Sequence, residues 1–121
     1  MSTSVPVGPE PEYLDSDGYP TEAALERIKK WDFKDNSGPV DLLEFVRSIW
    51  WSADWGFRGP ERTTGPIRGK VLRFRLSTGG WSGNESIIGA MLGNAVFWLM
   101  CWQQSRRGGH FVFDVPDKER S

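Results

Sequence analysis

The strongest constraint on the fold of this chain is an alternation of apolar and polar side chains within residues 70–77, unbroken from Leu72 to Ser77. Leu72, Phe74 and Leu76 fall on one side of an extended chain, and Arg73 and Arg75 fall on the other. Successive side chains of a strand point to opposite faces, so this pattern predicts a strand with one buried face. We expect that face to pack against helices.

Two segments that precede this strand have helical spacing. The first begins at Thr21, a residue type that caps helices, and places Ala24, Leu25 and Ile28 on one side. The second begins at Pro39, and its apolar face comprises Leu42, Phe45, Val46, Ile49 and Trp50. Residues 56–69, which are rich in glycine and proline, are predicted to form a loop.

The chain after the strand divides into three further elements. Residues 82–85 (SGNE) have the pattern of a capping box, which predicts a helix with Ile87, Ile88, Met91 and Leu92 as its apolar face. The apolar run 96–103 is interpreted as a central strand buried on both faces, with a helix as the competing interpretation. Residues 105–109 predict a hairpin turn, and 110–115 predict a strand with Phe111, Phe113 and Val115 inward.

These elements predict an α+β fold in the order α-α-β-α-β-β. We expect a three-stranded, mainly antiparallel sheet with helices packed on one face. Residues 1–18 are acidic and rich in proline, which predicts a flexible tail. Residues 19–116 form the single globular domain of this interpretation, and residues 117–121 are expected to fray.

The composition excludes several classes of protein. One cysteine permits no internal disulfide and no cysteine-rich metal cluster, and the longest apolar run is too short to cross a bilayer. The N-terminus lacks the basic start and apolar stretch of a signal peptide. We therefore expect a cytoplasmic protein without a cofactor or a bound metal.

Charge is distributed unevenly along the chain. Residues 1–45 contain ten acids and four bases, whereas residues 46–121 contain six acids and eleven bases, nine of which are arginines. Arginine pairs with planar anionic groups and stacks on rings better than lysine does. The two halves either attract each other within one fold, or they leave a basic face for an acidic protein or a nucleic acid.

The polar face of the predicted sheet is the first candidate binding surface. It would carry Arg73, Arg75, Trp98, Trp102, His110 and Asp114. Tryptophan and arginine are enriched at binding hot spots, and the same pair of residue types can stack bases and hold phosphates. The alternatives are burial against another part of the chain, a contact with a protein partner, or a homodimer formed through this face.

Two shorter segments are further candidates. Trp51 and Trp55 do not both fit the apolar face of the second helix, so at least one is expected to lie at the surface or under the following loop. Arg106 and Arg107 lie at the tip of the predicted hairpin, where they can pair with carboxylates or phosphates. A solvated turn is the competing interpretation of that tip.

Catalytic sets are sparse in this sequence. His110 is the only histidine, Cys101 is predicted to be a buried thiol, and the two are expected to face opposite sides. The glycine-rich turn before Glu85 lacks the lysine and the spacing of a phosphate-binding loop. We therefore expect a protein that is not an enzyme, with a small hydrolase or transferase centred on His110 as the alternative.

Three stretches carry a resemblance to a known group of proteins: residues 19–28 (YPTEAALERI), 76–85 (LSTGGWSGNE) and 97–110 (FWLMCWQQSRRGGH). Together they resemble small proteins of unassigned activity from tailed phages and prophages, over most of residues 19–115. The resemblance implies a product of the infected bacterial cytoplasm that binds a host protein or a protein–nucleic-acid complex. Such a protein would act as an inhibitor or adaptor, for example against a defence system such as CRISPR.

Overall fold

The computed structural model describes residues 12–33, 38–65 and 69–116. Five helices and four strands occur in these ranges. The helices are α1 (Glu22–Lys29), α2 (Pro39–Ile49), α3 (Ala53–Gly56), α4 (Ser82–Gly93) and α5 (Ala95–Cys101). The strands are β1 (Phe57–Gly65), β2 (Gly69–Ser77), β3 (Trp102–Arg106) and β4 (His110–Pro116).

The strands form one antiparallel sheet in the order β1-β2-β4-β3. The predicted α+β class is confirmed, but the prediction of three strands is wrong. The additional strand, β1, lies in the segment that was predicted to be a loop. Its pairing with β2 shifts between Arg58 and Glu61, and Pro60 lies at that shift. A proline is tolerated at such an irregularity on an edge strand, which explains how a proline-containing segment joins the sheet.

The prediction of a central strand over residues 96–103 is wrong, and the competing helix is correct for most of the segment. The Asn94 side chain accepts a hydrogen bond from the Phe97 N–H at 3.1 Å and so caps α5. The helix buries Phe97 and Cys101, which are four residues apart, and leaves Leu99 exposed. Because every residue of the run is apolar until Gln103, periodicity could not distinguish a strand from a helix.

The first two helices agree with the sequence. Thr21 Oγ1 accepts a hydrogen bond from the Ala24 N–H at 3.2 Å, as expected of a cap. Helix α2 begins at Pro39 and buries Leu42 and Val46 in the core. The Asn94 amide also donates to the Ile28 carbonyl at 2.9 Å, which ties the end of α1 to the start of α5.

Helix α4 begins and ends where the sequence indicates, but two details were wrong. Its N-cap is Trp81, which makes no side-chain capping bond, so residues 82–85 do not form the predicted capping box. Leu92 is exposed, although Ile87, Ile88 and Met91 of the same predicted apolar face are buried. The core lies between the helices and one face of the sheet. Its fully buried members include Ala24, Ile28, Leu42, Leu43, Val46, Phe74, Ile87, Met91, Phe97 and Phe113.

Part of the segment assigned to the N-terminal tail contacts the domain. The Asp15 carboxylate accepts hydrogen bonds from the N–H groups of Asp17 and Tyr19, both at 2.9 Å, and Leu14 pairs with Pro20. The Tyr13 ring packs edge-on against Phe45 at 5.0 Å. Residues 1–11 and 117–121 lie outside the described residues. No helix in the described ranges combines the length and apolar character that crossing a membrane requires.

Candidate functional site

The two faces of the sheet differ in what covers them. Phe74, Leu76 and Phe113 face the helices and belong to the core. Directly paired residues share a face, so the cross-strand register assigns side chains to the opposite, open face. Five directly opposed pairs of polar residues lie on that face. Between β1 and β2 they are Arg58 with Arg75 and Glu61 with Arg73. Between β4 and its two neighbours they are Arg73 with Asp114, Ser77 with His110, and Arg106 with His110.

A concave region on the open face collects its basic side chains. It encloses about 350 Å³ and is lined by residues from all four strands and from α3. We call it the arginine groove, and its lining residues are Trp55, Gly56, Arg58, Arg75, Leu76, Ser77, Arg106, His110, Phe111 and Val112. Three arginines and a histidine thus line the groove without any aspartate or glutamate. Such a lining has the charge needed to hold an anion.

Two of the groove arginines oppose each other directly. Arg58 on β1 pairs in register with Arg75 on β2. Like charges in this position destabilise a sheet. Arg75 lies 3.6 Å from Glu61, and both side chains are more than half exposed, so this ion pair contributes little. Within the described residues the Arg58 side chain forms no hydrogen bond or ion pair, so no anionic side chain there offsets its charge.

Arg73 has a different role from the arginines of the groove. Its guanidinium donates two hydrogen bonds to the Asp114 carboxylate, at 2.7 and 2.9 Å, and the Asp114 side chain is almost fully buried. The hydrogen bond to Asp114 raises the pKa of Arg73 above the ordinary value of an arginine. A bidentate pair of this kind fixes both side chains. We interpret Arg73 as a structural residue that joins β2 to β4.

Helix α3 places Trp55 at the end of the groove. Ser52 adopts a left-handed conformation (φ 56°), which turns the chain from α2 into this short helix. A Cβ atom on Gly56 would lie 2.6 Å from the Ser77 carbonyl oxygen, so only glycine permits the helix to approach β2 this closely. Trp55 is thereby held against the strand end, with 56% of its surface exposed.

A row of aromatic rings continues from Trp55 along the surface. The Trp51 ring stacks on Trp81 with the ring centroids 5.3 Å apart, and the Tyr19 ring centroid lies 4.6 Å from that of Trp81. A Cβ atom on Gly79 would lie 3.2 Å from the Trp55 ring and 4.0 Å from the Trp51 ring, so Gly79 separates the two indoles. We call Tyr19, Trp81, Trp51 and Trp55 the aromatic ladder.

A buried asparagine holds the ladder in place. The Asn84 side chain accepts a hydrogen bond from the Trp51 N–H at 2.9 Å and donates to the Trp51 carbonyl at 3.1 Å. The same amide donates to the Thr78 carbonyl at 3.3 Å. Asn84 therefore fastens the backbone of Trp51 to the start of α4, next to Trp81. This role was hidden in the sequence, where Asn84 belonged to an expected capping box.

The expectation that Trp98 and Trp102 share a face with the arginines is wrong. Trp98 lies on α5 rather than on a strand, and Trp102 pairs in register with Phe113, which faces the helices. The two indoles stack at 6.1 Å, and Trp98 also contacts Phe113 at 5.4 Å. These tryptophans extend the core toward the β3 edge and do not contribute to the groove.

His110 contacts a hydroxyl but no carboxylate in the described part of the chain. Its Nδ1 atom lies 2.7 Å from Ser77 Oγ, and Asp114 is occupied by Arg73. Cys101 is a buried thiol of α5, whereas the contact between Ser77 and His110 is exposed. Residues 12–33, 38–65 and 69–116 contain no group of three or more His, Cys, Asp or Glu side chains arranged to hold a metal ion.

The residues selected from the sequence therefore separate into groups. Trp55, Arg75, Arg106 and His110 meet in the groove, and Trp51 lies in the adjoining ladder. Arg107 lies exposed in the β3–β4 turn beside the groove. Sequence reasoning missed Arg58, Tyr19 and Trp81, the first because β1 was interpreted as a loop. For Arg58 the available signal was the high arginine content of residues 46–121, and for Tyr19 and Trp81 no local pattern indicated a shared surface.

Comparison with known proteins gives no match to any family model, any curated protein or any solved structure. The site is therefore interpreted from its own residues.

Proposed function

We propose that this protein is a non-enzymatic binding protein that holds an anionic part of a macromolecular partner in the arginine groove. The observation that carries the proposal is the lining of the groove, in which three arginines and a histidine lie together without a carboxylate. The directly opposed Arg58 and Arg75 add to this argument because an anion between them would remove their repulsion. The proposal assigns no catalytic step to the groove.

The partner class follows from the resemblance to small phage and prophage proteins. Under this proposal the protein acts in the bacterial cytoplasm as an inhibitor or adaptor of a host protein or a protein–nucleic-acid complex. Host defence complexes, including CRISPR systems, are candidates of this class. The exposed aromatic ladder beside the groove supports a macromolecular partner, since surface aromatic clusters mark interaction sites.

Binding of long-chain inorganic polyphosphate tests the proposal, because this probe presents phosphate charge without any base or side chain. We expect calorimetry at low salt to show binding that Arg58→Gln and Arg75→Gln each weaken several-fold. Arg62→Gln is the matched control: Arg62 is an exposed arginine of β1 that pairs in register with Leu72, on the other face. Equal affinities for the wild type, Arg75→Gln and Arg62→Gln would contradict the proposal.

The contact between Ser77 and His110 favours a second candidate, a small hydrolase. A hydroxyl within hydrogen-bond reach of an imidazole is the arrangement of a nucleophile and its general base. The described residues supply no carboxylate to orient His110, which weakens this candidate. Hydrolysis of p-nitrophenyl esters by the wild type, abolished in Ser77→Ala and His110→Ala, would support it. Equal rates with and without these substitutions would exclude it.

A further inference from the structure

We propose that the arginine groove and the aromatic ladder form one binding surface for single-stranded nucleic acid. The phosphates would lie against Arg58, Arg75 and Arg106, and the bases would stack on the rings of the ladder. This inference rests on the proposed function and specifies the partner chemistry of the same site.

The two parts of this surface are continuous. Trp55 belongs to both, because it lines the groove and its ring lies against Gly79, as does the ring of Trp51. From Trp51 the row continues through Trp81 to Tyr19 by direct ring contacts. A single-stranded nucleic acid whose backbone crosses the sheet at the arginines therefore reaches the aromatic rings without leaving the protein surface.

The ladder offers ring surface at which bases can stack. Trp51, Trp55 and Tyr19 are exposed. The Trp51 and Trp81 planes lie within 28° of parallel and stack, and the Tyr19 ring is tilted by 36° to Trp81. A base can add to the exposed rings of this group. Stacking of this kind tolerates any base, because every base has a π face.

The chemistry of the surface favours a single strand over its rivals. In a duplex the bases are already stacked on each other, so the ladder would have no role. An acidic peptide would use the arginines, but it carries no flat ring in each residue to match the aromatic side chains of the ladder. The combination of a basic groove with aromatic stacking platforms is the pattern by which proteins bind single strands without sequence preference.

The test uses fluorescence anisotropy with a labelled oligothymidylate of roughly 10 nucleotides, a length within the range of single-strand sites. We expect the wild type to bind oligothymidylate about tenfold or more tightly than it binds an abasic strand of equal length. Trp55→Ala should lower the affinity for oligothymidylate by about tenfold, because it removes a stacking ring. Trp102→Ala is the matched control, since Trp102 is also an exposed tryptophan but lies on the helix-covered side.

Salt dependence identifies the phosphate contacts. With three arginines engaged, log affinity should fall with log salt at a slope of about −2, and Arg58→Gln should reduce the slope by about 0.7. Equal affinity for oligothymidylate, the abasic strand and a duplex would overturn the inference. Tighter binding of poly-glutamate than of oligothymidylate would likewise overturn it in favour of an acidic protein. If polyphosphate still binds in those cases, the proposed function stands and only the nucleic-acid inference is rejected. If neither polyphosphate nor oligothymidylate binds, both the proposed function and the inference are rejected.

Discussion

Val112 and Phe113 are neighbours in β4, and they show how differently the two faces of one sheet are used. Phe113 faces the helices, contacts Phe97 and Trp98, and has no exposed surface. Val112 faces the other way and lines the arginine groove between Arg75 and Gln104. One face buries large aromatic side chains against the helices. The other combines the buried Val112 with the opposed Arg58 and Arg75, whose like charges carry an energetic cost.

The two groups of tryptophans follow the same division. Trp98 and Trp102 stack on each other beside Phe113, where they extend the apolar face. Trp51, Trp55 and Trp81 lie by the arginine groove and form most of the aromatic ladder. A tryptophan count alone cannot separate these roles. The face on which each ring lies decides whether its loss is expected to affect stability or binding.

The largest expected effect concerns the covered face. Phe113→Ala should lower the free energy of unfolding by about 3–5 kcal/mol, because it removes a fully buried ring and leaves a cavity. Urea denaturation measures this difference. Val112→Ala, the control on the open face, removes two methyl groups and should cost only about 1.5 kcal/mol. Similar losses for the two variants would show that the open face is packed as tightly as the core.

An intermediate effect is expected at the Arg73–Asp114 pair. Asp114→Asn should lower the free energy of unfolding by about 2–3 kcal/mol, because it leaves a mostly buried guanidinium without its anionic partner. The raised pKa of Arg73 means that this stabilisation persists below the ordinary pKa of arginine and is lost only at more alkaline pH. Urea denaturation at pH 7 and at pH 9 should therefore give the same difference between the wild type and Asp114→Asn.

The exposed ion pair on the same face provides the control for that prediction. Arg75 and Glu61 are separated by 3.6 Å and both side chains are more than half exposed. Glu61→Gln should change stability by less than about 0.5 kcal/mol. A loss as large as that of Asp114→Asn would mean that the groove arginines are structural residues.

The smallest effect on stability is expected at Arg58, where it should have the opposite sign. Arg58→Gln relieves the repulsion with Arg75 and should leave stability unchanged or raise it by up to about 0.5 kcal/mol. The same variant should bind polyphosphate more weakly than the wild type does. Thermal unfolding together with calorimetry measures both quantities. A clear loss of stability would contradict the assignment of Arg58 to a binding role.

Apolar periodicity correctly predicted the elements whose pattern fitted either a strand or a helix but not both. The alternation over residues 70–77 identified β2, and the spacing of Leu42, Val46 and Ile49 identified α2. The uniform apolar run was misassigned because it fits a buried strand and a helix equally well. Strand β1 was missed because Pro60 and the neighbouring glycines obscure its pattern, and because its pairing with β2 is a contact between separate segments.

The candidate site was predicted only in part for the same reason. Arg75 and His110 were placed correctly on the polar face of the sheet, since β2 and β4 were recognisable locally. Arg106 was predicted at the tip of the hairpin, and it instead ends β3, opposite His110. Arg58 and the stacking of Trp51 on Trp81 depend on cross-strand register and on the three hydrogen bonds of Asn84. No periodicity within one segment carries such information.

The sequence by itself determined the α+β class, the turn between β3 and β4, and the strong arginine bias of residues 46–121. Those properties depend on residues that are close together in the sequence, so they can be recognised from local steric preferences and apolar periodicity. The tertiary structure alone decided that residues 57–65 join the sheet and that residues 95–101 form a helix, and therefore which arginines and tryptophans are exposed together. The physical reason is that a side chain becomes part of a core or of a surface through what packs on it, and here those partners come from distant segments.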